Sequence, residues 1–184
     1  MKKLILASIA LVSFATAANA QTANSSATQT VNMNQSDAIE ITFVGTGNAT
    51  GAAVNLAFNN VNDYANGVTS ADQQLRVRSN KNYAVAVKSN AVNFTYTGSA
   101  SPVPVMPVAS VLDLMISANG TGGTAVAPFS TTAYTDLTSV GRNMLTNCTK
   151  GGNQTFSVKY QAQPGFTYPA GTYTVDVVYT ATQL

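Results

Sequence analysis

Histidine is absent from all 184 residues, and cysteine occurs once, as Cys148. Ser-His-Asp triads, Cys-His pairs and His-ligated metal sites are thereby removed together, and Cys148 has no imidazole to activate it. Carboxylates are what remain for acid–base work. Asp37, Glu40, Asp63, Asp72, Asp113, Asp136 and Asp176 are scattered, and no spacing among them proposes the facing pair that glycoside hydrolysis needs. An enzyme is not expected, and neither is a cofactor. Asn60, Asn62 and Asp63, ahead of Gly67, offer oxygens of the kind a hard cation takes. They lack the repeated acids of a dedicated site, and an Asx turn explains them, so no metal is expected. Binding chemistry is better represented. Tyr64, Tyr134, Tyr168 and Tyr173 fall in or near expected loops, where such rings either hold a ligand or pack with the hydroxyl wet. They are the candidate ligand-binding residues, although tryptophan, a frequent platform for sugars, is absent.

The elements that would position these residues follow an export signal. Lys2 and Lys3 precede an apolar run from Leu4 to Phe14, and small residues lead to Ala18-Asn19-Ala20. That is a secretory signal with cleavage expected before Gln21, and the run is too short to cross a bilayer. Residues 1–20 are therefore read as a cleaved signal peptide, 21–35 as a flexible polar lead-in and 36–184 as one domain. The expected location is the periplasm, the cell surface or the extracellular medium of a bacterium. The residue after the cleavage point is Gln21 and not cysteine, so a lipid anchor is not expected.

Cleavage removes Lys2 and Lys3, so the nine basic residues become seven against seven acidic ones, and the mature chain is neutral. Such a chain has no electrostatic footprint for nucleic acid. Arg76, Arg78, Lys81 and Lys88 read as a solvated hairpin face. Polarity comes instead from Asn, Thr, Ser and Gln, and the Asn-X-Ser/Thr matches at Asn24, Asn48 and Asn93 follow from that composition. With one cysteine, no intrachain disulfide is possible, and Cys148 is expected to be buried behind Met144 and Leu145.

Apolar residues recur at strand spacing. Ile39, Ile41 and Phe43 alternate with Glu40 and Thr42; Val54, Leu56 and Phe58 form a second alternation. Leu75 and Val77, then Tyr83, Val85 and Val87 across Ser79-Asn80-Lys81-Asn82, read as a β-hairpin with a four-residue loop. Val92, Phe94 and Tyr96 suggest another strand. Prolines in Ser101–Pro107 exclude a central strand there; Val111–Ile116 fits a strand or a helical turn, and Tyr134–Asn147 shows no clear period. Phe156, Val158 and Tyr160, then Tyr173, Val175, Val177 and Tyr179, form two closing strands. The fold expected is all-β: a single antiparallel, immunoglobulin-like β-sandwich of about eight to ten short strands.

The ending, Gly151-Gly-Asn-Gln-Thr-Phe-Ser-Val-Lys-Tyr160 through Tyr168-Pro-Ala-Gly-Thr-Tyr-Thr-Val-Asp-Val-Val-Tyr-Thr180, resembles that of spore-coat-protein-U-like fimbrial subunits. It is more weakly similar to WxL cell-wall-binding domains. The whole chain, including Asp63-Tyr-Ala-Asn-Gly67 and Leu75-Arg-Val-Arg-Ser79, resembles small exported β proteins of Bacteroidota. The chain departs from both named families: coat-U-like subunits carry a cysteine pair and WxL domains a tryptophan motif. The lead-in, with only Val31 and Met33 as scattered apolar residues, is a poor donor strand. The resemblance implies the fold and an envelope location. The function expected is a non-enzymatic envelope or surface protein with a structural or adhesive role, a self-associating, fimbrial-like subunit among its forms. The alternative is a monomeric glycan- or peptidoglycan-binding module. The expected partners are accordingly a second copy through a sheet edge or an envelope glycan, with no transmembrane segment in the mature chain; an outer-membrane barrel fits poorly with strands this short.

Overall fold

The computed structural model describes residues 24–184; the expected signal peptide and its cleavage point lie outside the described residues. Residues 24–35 carry no helix or strand, and their Val31 and Met33 are exposed. Ser36–Leu184 form a compact unit of their own.

That unit is antiparallel β apart from one short described helix. With strands numbered in chain order, one sheet runs β1 (Ile39–Phe43), β3 (Gln73–Ser79), β10 (Gly151–Ala162), β6 (Leu112–Asn119), β8 (Thr135–Asp136), with β2 (Val68–Thr69) also on β10. The second runs β12 (Val177–Gln183), β4 (Tyr83–Ser89), β9 (Arg142–Cys148), β7 (Thr124–Ala125). A ribbon of β5 (Thr95–Thr97) and β11 (Thr172–Thr174) stands apart from both. The period-2 pattern explains the layering. Leu75 and Val77, Leu114 and Ile116, and Phe156 and Val158 bury one face of the first sheet. Tyr83, Val85 and Val87, with Met144 and Leu145, bury a face of the second, and all share one core. Among the described residues, five of the twelve strands have only two or three residues, which accounts for the excess over the number expected.

Several local expectations change. Leu75–Val77 and Tyr83–Val87 do form strands, but they are not a hairpin. β3 pairs with β1 and β10, while β4 pairs with β12 and β9. The short connection is an arch crossing between sheets, with Ser79 Oγ donating to Lys81 O at 2.7 Å. Alternation reports which side chains are buried, and two strands facing one core from opposite sheets alternate just as hairpin partners do. The same reason covers Ala52–Phe58, which pairs with nothing although Leu56 and Phe58 pack on the core. Val111–Ile116 largely resolves as β6, beside the central β10. Tyr134–Asn147 hides β8 and the whole of β9 up to its last residue, because irregular pairing with β4 leaves consecutive Met144 and Leu145 both buried. Pro107 makes only an isolated bridge to Asn93. The four basic residues do not share a hairpin face: Arg78 lies 3.5 Å from Glu40 and Lys81 2.7 Å from Asp37, Arg76 Nε is buried without a hydrogen-bond partner, and Lys88 stands on β4 in the other sheet.

A buried tyrosine pair joins the two sheets. The hydroxyls of Tyr160 (β10) and Tyr179 (β12) meet at 2.7 Å, and burial pushes Tyr160 up to about 12 despite that bond, and raises Tyr179 as well. Either single Phe substitution leaves a buried hydroxyl alone and is expected to cost about 1–3 kcal/mol. The double variant Tyr160→Phe/Tyr179→Phe removes both hydroxyls and is expected to recover most of that loss. A denaturant-unfolding double-mutant cycle checks it, and additive losses would contradict it.

Candidate functional site

The four candidate tyrosines do not form one site. Tyr64, on the short helix α1 (Val61–Asn66), lies between Phe58 at 5.2 Å and Phe166 at 5.6 Å between ring centroids. Tyr168 and Tyr173 belong to a separate group with Tyr96, whose ring is 5.0 Å from that of Tyr173. The hydroxyls of this second group hold loops together. Tyr96 donates to Ala170 O at 3.0 Å and accepts from Ala100 N, and Tyr173 donates to Pro169 O at 2.9 Å. Tyr134 joins neither group; partial burial, then the charge of Asp72, raises its pKa.

The would-be cation loop is a helix start. Asp63 Oδ2 accepts from the backbone N–H groups of Asn59 and Asn60 at 2.7 and 3.0 Å, and Asn60 Oδ1 accepts from Asn62 N at 2.9 Å and Asp63 N at 3.2 Å. This is a capping box, so these oxygens are occupied in folding. Among the described residues, no three acidic or cysteine side chains gather closely enough to hold a metal ion. Cys148 is fully buried, its Sγ accepting from Thr121 Oγ1 at 3.3 Å, and burial raises its thiol pKa, the environment of an inert thiol.

Sequence spacing missed one acidic pair. Asp113 on β6 and Asp136 on β8 are cross-strand neighbours. Burial first, then the hydrogen bond and charge of Asp136, push Asp113 up to about 6. Its folded pKa thus exceeds the unfolded carboxylate value near ~4, so the folded state binds the extra proton. The penalty is absent below that unfolded value, grows as pH rises toward 6 and is complete above it. Asp113→Asn is therefore expected to stabilise the protein by about 1 kcal/mol at pH 8, after discounting for solvent screening. Melting at pH 8 and near pH 3.5 checks this; equal shifts at both would contradict it.

The remaining unusual feature is a sheet edge. Asn90 N–H donates to Asp176 O and Leu184 N–H to Asn82 O. Even-numbered residues of β12 therefore turn their backbone groups to β4, and the groups of Val177, Tyr179, Ala181 and Gln183 face outward. Val177-Val-Tyr-Thr-Ala-Thr-Gln183 contains no charge, proline or glycine, the devices that usually protect an edge. The other outer strands are less open. β7 and β8 have two residues each, and β1 carries Glu40. Beside β12 lies an apolar cleft of about 190 Å³, with Ile41 and Phe43 of β1 on one wall and Val177 and Tyr179 on the other. The far end of β12 is fastened to the first sheet by Gln183 Nε2, which donates to Ala38 O at 2.9 Å.

No protein-family model matches the chain, and no curated protein is significantly similar to it. Among the described residues, no helix is long and apolar enough to cross a membrane. Two further aromatic side chains stand beside Tyr64: Phe58, expected only as a strand residue, and Phe166, which no sequence expectation names. The signal available for Phe166 was its place just after the Pro164-Gly165 turn, where a large apolar side chain is left in solvent.

Proposed function

We propose that this is a non-enzymatic exported protein of the cell envelope or surface, immunoglobulin-like in build, with a structural or adhesive role exercised through self-association. The observation that carries the reading is the unprotected β12 edge. An incoming strand from a second copy would satisfy the outward N–H and C=O groups of Val177, Tyr179 and Ala181, and would lay inward-facing side chains over the adjoining cleft. Isologous pairing of two β12 edges gives a closed dimer, and pairing of β12 with a different segment gives an open array. Export and the envelope location are supported by the signal-like first twenty residues and by the resemblance of the chain's ending. Light scattering on residues 21–184, eluted from a sizing column without reductant, tests the assembly. A dimer or larger species is expected, and a monomer at every concentration up to about 1 mM would overturn it.

A further inference from the structure

The geometry points to a binding face for a neutral glycan on the Phe58–Tyr64–Phe166 cluster, a role separate from self-association at β12. The three rings form a continuous row. Phe58 is tilted 50° against Tyr64, and Tyr64 is stacked at 22° on Phe166. Phe166 is nevertheless 68% exposed, and Val61, one helical turn before Tyr64, is 71% exposed. A ring held by one face and open on the other is a flat apolar platform, and apolar clusters left in solvent commonly mark binding sites.

The row is held by rigid parts. The Asn60–Asp63 capping box fixes α1. Gly67, at φ 79°, lets the helix end close on the Phe166 loop; a Cβ there would lie 2.5 Å from Gln163 Cγ and 2.8 Å from Ala162 O. Gln163 ties the two together, its Nε2 donating to Asn66 O at 3.4 Å and its backbone N–H to Val111 O at 2.9 Å.

Charge identifies the ligand class. Across residues 44–71, 89–111 and 160–175, the only Asp, Glu, Lys or Arg is Asp63, and its carboxylate is engaged by Asn59 and Asn60. These segments supply no basic group to hold an anionic headgroup or an acidic polysaccharide, and Lys159, just before the last of them on β10, lies 3.9 Å from Asp72. Exposed amides are plentiful: Asn62 and Asn66 on α1 and Gln163 in the facing loop. An apolar ring face bordered by uncharged donors and acceptors matches a pyranose, which presents C–H groups on its face and hydroxyls around its rim. Tyr168 and Tyr173, whose group is built into loop anchoring, are not assigned to this face.

The test is titration calorimetry, backed by NMR shift mapping, with chitotetraose and cellotetraose as probes. Binding of at least one is expected, with Phe166→Ala weakening it by about tenfold or more and Tyr64→Phe, which keeps the ring, changing it by less than about threefold. Phe166 is exposed, so its truncation leaves the fold intact, and an unchanged circular dichroism melt verifies this. The Thr180→Lys edge variant is expected to bind the probe as wild type does, which separates this face from assembly. No binding at about 10 mM probe, or equal binding by Phe166→Ala, would overturn the assignment. Association with phosphatidylcholine vesicles in place of the oligosaccharides would also overturn it and reassign the face to lipid.

Discussion

Thr180→Lys is expected to convert the self-associated protein to monomer at concentrations where the wild type is assembled. Thr180 is exposed on β12, with its side chain on the outer face and its backbone turned to β4. Lysine there keeps every ladder bond of the folded chain and adds a charge at the middle of an edge that has none. In an isologous pairing, two such lysines approach one another, and like charges facing across strands are destabilising. A loss of affinity of at least about 100-fold, or ~3 kcal/mol, is expected, with a melting temperature of the monomer within a few degrees of wild type. Sedimentation equilibrium and calorimetry measure the two quantities separately. An assembled Thr180→Lys protein would place the contact elsewhere on the surface.

Leu114→Ala is expected to give a large loss of stability from a single side chain. Leu114 is fully buried on β6, opposite Tyr160 of the long β10 and Thr135 of β8. Truncating a buried leucine costs about 2–5 kcal/mol through lost transfer energy and the cavity left behind. A domain of this size has only about 5–15 kcal/mol in total, so melting is expected to fall by roughly 10 °C. Leu56→Ala serves as the control. Leu56 packs on the same core from an unpaired segment and is only partly buried, so a loss of about 1 kcal/mol or less is expected. Comparable losses for the two variants would mean that residues 52–58 hold the core as firmly as the central strands.

These expectations show where one-dimensional pattern suffices. The inward residues of β3, β4, β10 and β12 follow directly from alternation, and so does the nearly all-β antiparallel fold. Strand partnership does not follow from it. The Ser79–Asn82 turn chemistry is compatible both with a hairpin and with the arch that the structure contains, and the choice is settled by what β1, β10, β9 and β12 place alongside. β9 was obscured because a locally irregular register breaks the very period used to find strands. The candidate sites divide in the same way. The charge-free run of β12 is readable in sequence, but its exposure as an edge is a property of sheet order. Tyr64 was recognisable as a loop-proximal aromatic, whereas its stacking on Phe166 links residues about a hundred positions apart. Asp113 and Asp136 likewise meet only because β8 adds to β6.

Amide hydrogen exchange along β12 tests the proposed assembly most directly, because the two sets of backbone groups on this strand act as mutual controls. Val178, Thr180 and Thr182 are bonded to β4 and are expected to be protected in monomer and assembly alike. Val177, Tyr179 and Ala181 face outward and are expected to be protected in the assembled wild type, and to exchange rapidly on dilution or in Thr180→Lys. Rapid exchange at Tyr179 and Ala181 in protein that light scattering shows to be assembled would contradict association through this edge.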